Sequence, residues 1–173
     1  MKLISQDELE PAWTPLIEAL AAMITLSSEY VVLQVYTQHD DECGPYIQTL
    51  QEEDGALHLE AASNQFLSPK IGLDAINSLR EMGWDDPDDD DGIPNFQIFL
   101  RPEEASPGVV ARFLVATLRD AYLVTPNDSY EFAPPELFVQ IVAGEFGAPL
   151  PMRFTTFDIE NWKKNTSRLP KNK

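Results

Sequence analysis

A single cysteine, Cys43, excludes an intrachain disulfide and any zinc site built from several thiolates. Histidine is almost as scarce, with only His39 and His58. His39 and Cys43 lie four residues apart around Asp40, Asp41 and Glu42. Two such ligands in one turn, with no second cluster, do not make a metal site, and the flanking acids disfavour the thiolate that a Cys–His nucleophile pair needs. The eight glycines nowhere cluster, so no phosphate-cradling loop is present, and serine-nucleophile and zinc-protease motifs are absent too. Bases are few: 12 Lys and Arg face 29 Asp and Glu, for a formal charge of −17. That surface repels phosphate backbones and anionic headgroups, which argues against nucleic acid and membrane as partners. No apolar run reaches the roughly 18 residues of a membrane span. The opening Met1–Glu8 turns acidic at once, unlike a secretory signal, and the expected compartment is the cytoplasm.

What is present suits one domain of ordinary size, with 43% hydrophobic residues for a core. Trp13, Leu16, Ile17, Leu20, Met23 and Ile24 recur at helical spacing and predict a helix from Asp7 to about Ser27, with Pro15 delaying its start to near Trp13. Its other face is small (Ala19, Ala21, Ala22) and open to close approach by another backbone. Tyr30–Thr37 reads as a largely buried strand, Pro45–Glu52 as a second, and Ala56–Ala61 as a third with Leu57, Leu59 and Ala61 inward. Glu53-Asp54-Gly55 is the hairpin turn between the last two. Ser68-Pro69 predicts the start of a helix that runs to Met82 and stops at Gly83. Asn95–Arg101 is the next strand, with Phe96, Ile98 and Leu100 on one face. Phe99 on the other suggests a cover there too. Ser106-Pro107 opens an amphipathic helix from Gly108 to about Val124. A short helix is expected over Glu136–Ala143. This order predicts an α+β fold: an antiparallel sheet of a three-strand meander plus at least one further strand, packed by helices. The division expected is 1–126 for the domain, 127–162 for an extension packing on the domain or a partner, and 163–173 for a basic, disordered tail.

Asp85 to Asp91 holds six acids in seven residues. An EF-hand loop needs acids at positions one, three and five, glycine at six and glutamate at twelve. With Gly92 at six, Pro87 falls at one and Ile98 at twelve; with Asp86, Asp88 and Asp90 in frame, Asp91 stands where glycine belongs. The stretch reads as a solvated, self-repelling loop. No pair among the 29 acids is singled out for hydrolysis, and no catalytic, metal or cofactor residue is assigned. Trp13, Leu16, Leu20, Trp84 and Phe99 are the candidate partner-binding surface, to the extent that they are not core.

Leu79, the helix-ending Gly83-Trp84, Pro87, and Asn95-Phe96 opening a strand after an acidic gap carry a resemblance. Together with the surrounding element order, from Asp7 to Val124, the chain resembles the chaperone-like superfamily (TY-Chap) that joins YbjN-type proteins and type III secretion chaperones. One strand is read after the second helix where secretion chaperones have two, and the segment after Pro126 has no counterpart. The resemblance implies a non-enzymatic module, often a homodimer, that holds a peptide or segment of another protein. The alternative is an enzyme or metal-binding protein using clustered carboxylates.

Overall fold

Proline sets the start of the first helix. Pro11 opens a 3-10 turn over Pro11–Trp13, and Pro15 lies in the first turn of α1 (Thr14–Leu26), where the missing N–H has no helical partner to lose. The structure, a computed structural model, describes residues 9–36, 44–88, 90 and 92–137. The helix expected from Asp7 therefore begins at Thr14 in the described chain, and its stripe of Leu16, Leu20, Met23 and Ile24 is buried.

Strands β1 (Tyr30–Tyr36), β2 (Tyr46–Gln51) and β3 (Leu57–Ala61) form the expected antiparallel meander. Gly55 turns the chain between β2 and β3 with φ at 85°, a left-handed conformation that suits glycine. Strand β4 (Phe96–Leu100) pairs with β3, and β5 (Ser129–Ala133) pairs with β1. The sheet is antiparallel throughout, in the order β4-β3-β2-β1-β5. Strand β5 belongs to the segment expected, from 127 on, to pack on the domain.

Helices α2 (Leu73–Met82) and α3 (Pro107–Asp120) complete the fold. Helix α3 is buried at Val110, Ala111 and every position from 113 to 118, as a helix in the middle of a core must be. Helix α1 packs along it and α2 touches it. The small face of α1 is part of this packing: Ala19 is buried, while Ala21 and Ala22 are half-buried against the core. Inward residues of all five strands join the helices in one apolar cluster, among them Leu33, Ile47, Leu59, Ile98 and Phe132.

Three elements differ from the sequence reading. Strand β1 alternates buried and half-buried residues, so half of it faces away from the helices. Helix α2 starts at Leu73, not at Ser68-Pro69: the Asn64 side chain donates to the Ile71 carbonyl (3.0 Å) and accepts from its N–H (2.8 Å), holding the preceding segment in a loop. The acidic stretch is partly laddered. Asp85 exchanges backbone hydrogen bonds with Gln97 (2.9 and 3.2 Å), and Asp88 with Ile93 (2.8 and 2.7 Å), so it folds as a short hairpin beside β4. Most of the helix expected over Glu136–Ala143, the His39–Cys43 turn and the tail from 163 lie outside the described residues.

Candidate functional site

The inward residues of the sheet alternate with a second set that no described helix covers. Register places Tyr30 opposite Leu50, Leu50 opposite His58, and His58 opposite Phe99. These four side chains form one apolar and aromatic row across β1, β2, β3 and β4. Three interstrand gaps make it about 14 Å long. The rings of His58 and Phe99 stack at 4.2 Å with 9° between their planes. Phe99 remains 64% exposed, an unusual state for so large an apolar side chain in the middle of a strand.

Beside this row runs a polar one: Gln97, Glu60 and Gln48, continued by Val32 and Ala133. Glu60 Oε2 accepts from Gln48 Nε2 (2.8 Å) and from Asn95 Nδ2 (2.7 Å), and its Oε1 lies 3.8 Å from His58 Nδ1. His58 Nε2 and Gln97 Oε1 are 3.2 Å apart. Asn95 Oδ1 accepts from the Tyr46 hydroxyl (3.1 Å) and from the Ser63 N–H (3.3 Å). Farther along the face the Tyr36 hydroxyl donates to Glu131. The polar atoms therefore hold each other in place, and the row that includes Phe99 offers itself to apolar contact. Fixed amides around an apolar strip suit binding, where few side chains need ordering when a partner arrives.

Two small clefts lie elsewhere. One of about 230 Å3 sits between α1 and the start of α3, lined by Leu9, Ile17, Ala21 and Arg112 together with Glu10 and Glu18. Another of about 410 Å3 is lined by Lys70, Arg80, Asp86 and Phe96, and there Asp86 accepts from Arg80 Nε at 2.9 Å. Among the described residues, no three His, Cys, Asp or Glu side chains gather as metal ligands.

Of the five candidate surface residues, Trp13, Leu16, Leu20 and Trp84 are core. The first three line the buried side of α1 and its lead-in turn; Trp84 stacks on Phe113 of α3 at 5.5 Å. Only Phe99 presents its side chain to solvent. No described element supplies the cover expected over it. Tyr30, Leu50 and His58 were missed because alternation alone makes them outward residues of ordinary strands. Their meeting in one row is a matter of cross-strand register, which a single strand's sequence does not carry.

The corners that brackets the acidic stretch have clear structural roles. Gly83 takes φ at 98°, its N–H bonds to the Arg80 carbonyl, and the Trp84 N–H bonds to that of Leu79 (3.0 Å), closing α2 and turning the indole into the core. Asn95 ties β2, β3 and the loop after β3 to the start of β4, as its three bonds show. A model of the TY-Chap3 family, described as T3SS (YopN, CesT) and YbjN peptide-binding chaperone 3, matches residues 6–128. The chain belongs to this family. The TY-Chap3 match takes in α1, the meander, both corners and α3, and ends just before β5. Comparison with curated proteins and with solved structures gave no significant match.

Proposed function

We propose that this TY-Chap3 protein is a non-enzymatic module that holds a segment of another protein, and that the face of its sheet that no described helix covers is the holding surface. The observation that carries this reading is the row Tyr30–Leu50–His58–Phe99, apolar and aromatic, ending in a phenylalanine that is 64% exposed. Family membership supplies the class of ligand, a peptide. Charge supplies its character. Residues 1–137 contain 26 acids and six bases, a net −20, so a segment with apolar side chains and a basic flank is favoured over an acidic one. The cytoplasm is the compartment that fits this role.

The test is binding of fluorescent peptides that combine apolar and basic residues to the full chain. Phe99→Ser weakens the tightest binder about tenfold, equivalent to about 1.4 kcal/mol, with the thermal midpoint unchanged. Leu50→Ser weakens it as well. Equal affinity in both variants would remove the face from consideration.

A further inference from the structure

We propose that the segment held on this face is a basic amphipathic helix, laid across the strands along Tyr30, Leu50, His58 and Phe99 with its N-terminus at the Tyr30 end. This occupant presupposes the reading above, in which the face is the holding surface.

Backbone hydrogen bonding decides between helix and strand. The row crosses the face of β1, β2, β3 and β4, and the ladders between these strands direct backbone N–H and C=O groups along the sheet, not out of its face. An extended peptide on the row would press its own N–H and C=O groups against apolar and aromatic side chains that offer them no backbone partner. A helix arrives with those bonds already made internally. At the β4 border, the backbone groups of Gln97 are already taken by Asp85, which removes one place where a strand could add.

The spacing of the row suits a helix as well. Strands lie about 4.8 Å apart, and one face of a helix recurs about every 5.4 Å. Over the three gaps of the row the two repeats drift apart by only about 2 Å, which side chains absorb. About ten residues of helix therefore span the row, with apolar side chains at i, i+3, i+7 and i+10 meeting its four members in turn. The receiving side chains are set in advance: the His58 ring stacks on Phe99 at 4.2 Å, and its Nε2 lies 3.2 Å from Gln97 Oε1. Such a fixed strip costs little side-chain freedom when the helix docks.

Charge sets the polar side of the helix and its direction. Glu60 stands in the row beside the apolar one, and its Oε1, 3.8 Å from His58 Nδ1, has lone pairs for a further donor. Residues 1–137 carry a net −20, so lysines and arginines flanking the apolar stripe are favoured over acids. At one end of the row stand two exposed carboxylates, Glu29 and Glu136: the Tyr30 hydroxyl titrates above the ordinary tyrosine range through burial and then through their charges. A helix carries partial positive charge at its N-terminus and partial negative charge at its C-terminus, so the N-terminus faces these carboxylates.

The test uses the full chain and two fluorescent peptides of about 14 residues with the same leucine, lysine, alanine and glutamine content. One has its leucines at i, i+3, i+7 and i+10; the other has them at alternate positions. By fluorescence anisotropy the helical isomer binds about tenfold tighter than the alternating one, and a covalent staple across its polar side tightens it several-fold further. Circular dichroism shows helix gained on binding. Phe99→Ser and Leu50→Ser each weaken the helical isomer about tenfold. With the photo-reactive p-benzoylphenylalanine in place of Phe99, cross-links fall on the C-terminal half of the helical isomer; in place of Tyr30, they fall on the N-terminal half. Equal or tighter binding of the alternating isomer, lost in Phe99→Ser, would overturn this inference and leave the proposed function standing. Cross-links in the reverse order would overturn it too. Binding of neither isomer, or binding indifferent to both serine substitutions, would sink the proposed function and this inference together. Links formed only to a second copy of the chain would assign the face to self-association and sink both.

Discussion

Trp84 Nε1–H donates to Thr117 Oγ1 at 3.1 Å, and the Thr117 hydroxyl donates onward to the Phe113 carbonyl at 3.0 Å. Both residues are buried. The glycine corner after α2 is thereby fastened to the middle of α3 through the one polar atom of a large apolar side chain. Thr117→Val keeps the shape and removes the acceptor, leaving the indole N–H unpaired in the core. The expected loss is about 1–3 kcal/mol. Trp84→Ala adds a cavity and costs about 3–5 kcal/mol. Urea unfolding followed by circular dichroism measures both, and an unchanged midpoint for Thr117→Val would show that the N–H finds another partner.

Asn95 is the second fixed corner. Its side chain accepts from Tyr46 and Ser63 and donates to Glu60. Asn95→Ala leaves those groups short of partners in a nearly buried site and costs about 2 kcal/mol. Asn95→Asp is the more damaging change, because it sets a carboxylate where an amide now donates to Glu60 Oε2 at 2.7 Å. If the aspartate variant proves the more stable of the two in a denaturant titration, the bonding assigned to this corner is wrong.

These two corners also mark how far the sequence could be read. Gly83 announces its own left-handed cap, and the alternation of Leu57, Leu59 and Ala61 announces an inward face; both are local signals. Neither Trp13 nor Trp84 could be sorted into core or surface from spacing, since an apolar stripe looks the same under a helix or under a partner. Strand β5 escaped notice because five residues, Ser129 to Ala133, give a short alternation that Pro134 cuts off. The late start of α2 rests on Asn64 reaching seven residues ahead to Ile71, and local propensity does not encode such a bond. The face with Phe99 became legible only when four strands were set in register.

Leu123 has φ at 56° and is 79% exposed. A branched side chain in the left-handed region costs roughly 1–2 kcal/mol. It has little packing to offset that. Leu123→Gly relieves the strain, and after the extra unfolded-state freedom of glycine is subtracted the gain is about 0.5–1 kcal/mol. Thermal unfolding then shifts upward by about 2–4 °C. A lower midpoint would mean that Leu123 makes contacts worth more than its strain.

Tyr122 and Tyr130 give the fold an alkaline limit. Burial pushes both hydroxyls well above the ordinary value of 10.0, with smaller contributions from Tyr46 on Tyr122 and from Asp128 on Tyr130. The folded state keeps these protons where the unfolded chain releases them. Stability is therefore whole below about pH 10 and falls as pH rises through and beyond that value. Tyr122→Phe gives up the bond to the Ala62 carbonyl (2.6 Å), about 0.5–1.5 kcal/mol at pH 8, and flattens the alkaline decline. Urea midpoints at pH 8 and above pH 10 for the two chains supply the comparison; parallel declines would assign the alkaline loss to other groups.

The hairpin of the acidic stretch has a bearing on self-association. Strand β4 ends the sheet on one side, and an edge strand offers free backbone groups to any chain that arrives extended. At Gln97 those groups are spent on Asp85, and the hairpin that supplies Asp85 carries six acids between residues 85 and 91. A second molecule aligning along this border meets, at Gln97, backbone groups that are already paired, and beside them a run of like charge. Among the described residues the acidic stretch thus shields the β4 border, beside a sheet face that no described helix covers, from pairing with a further strand at Gln97.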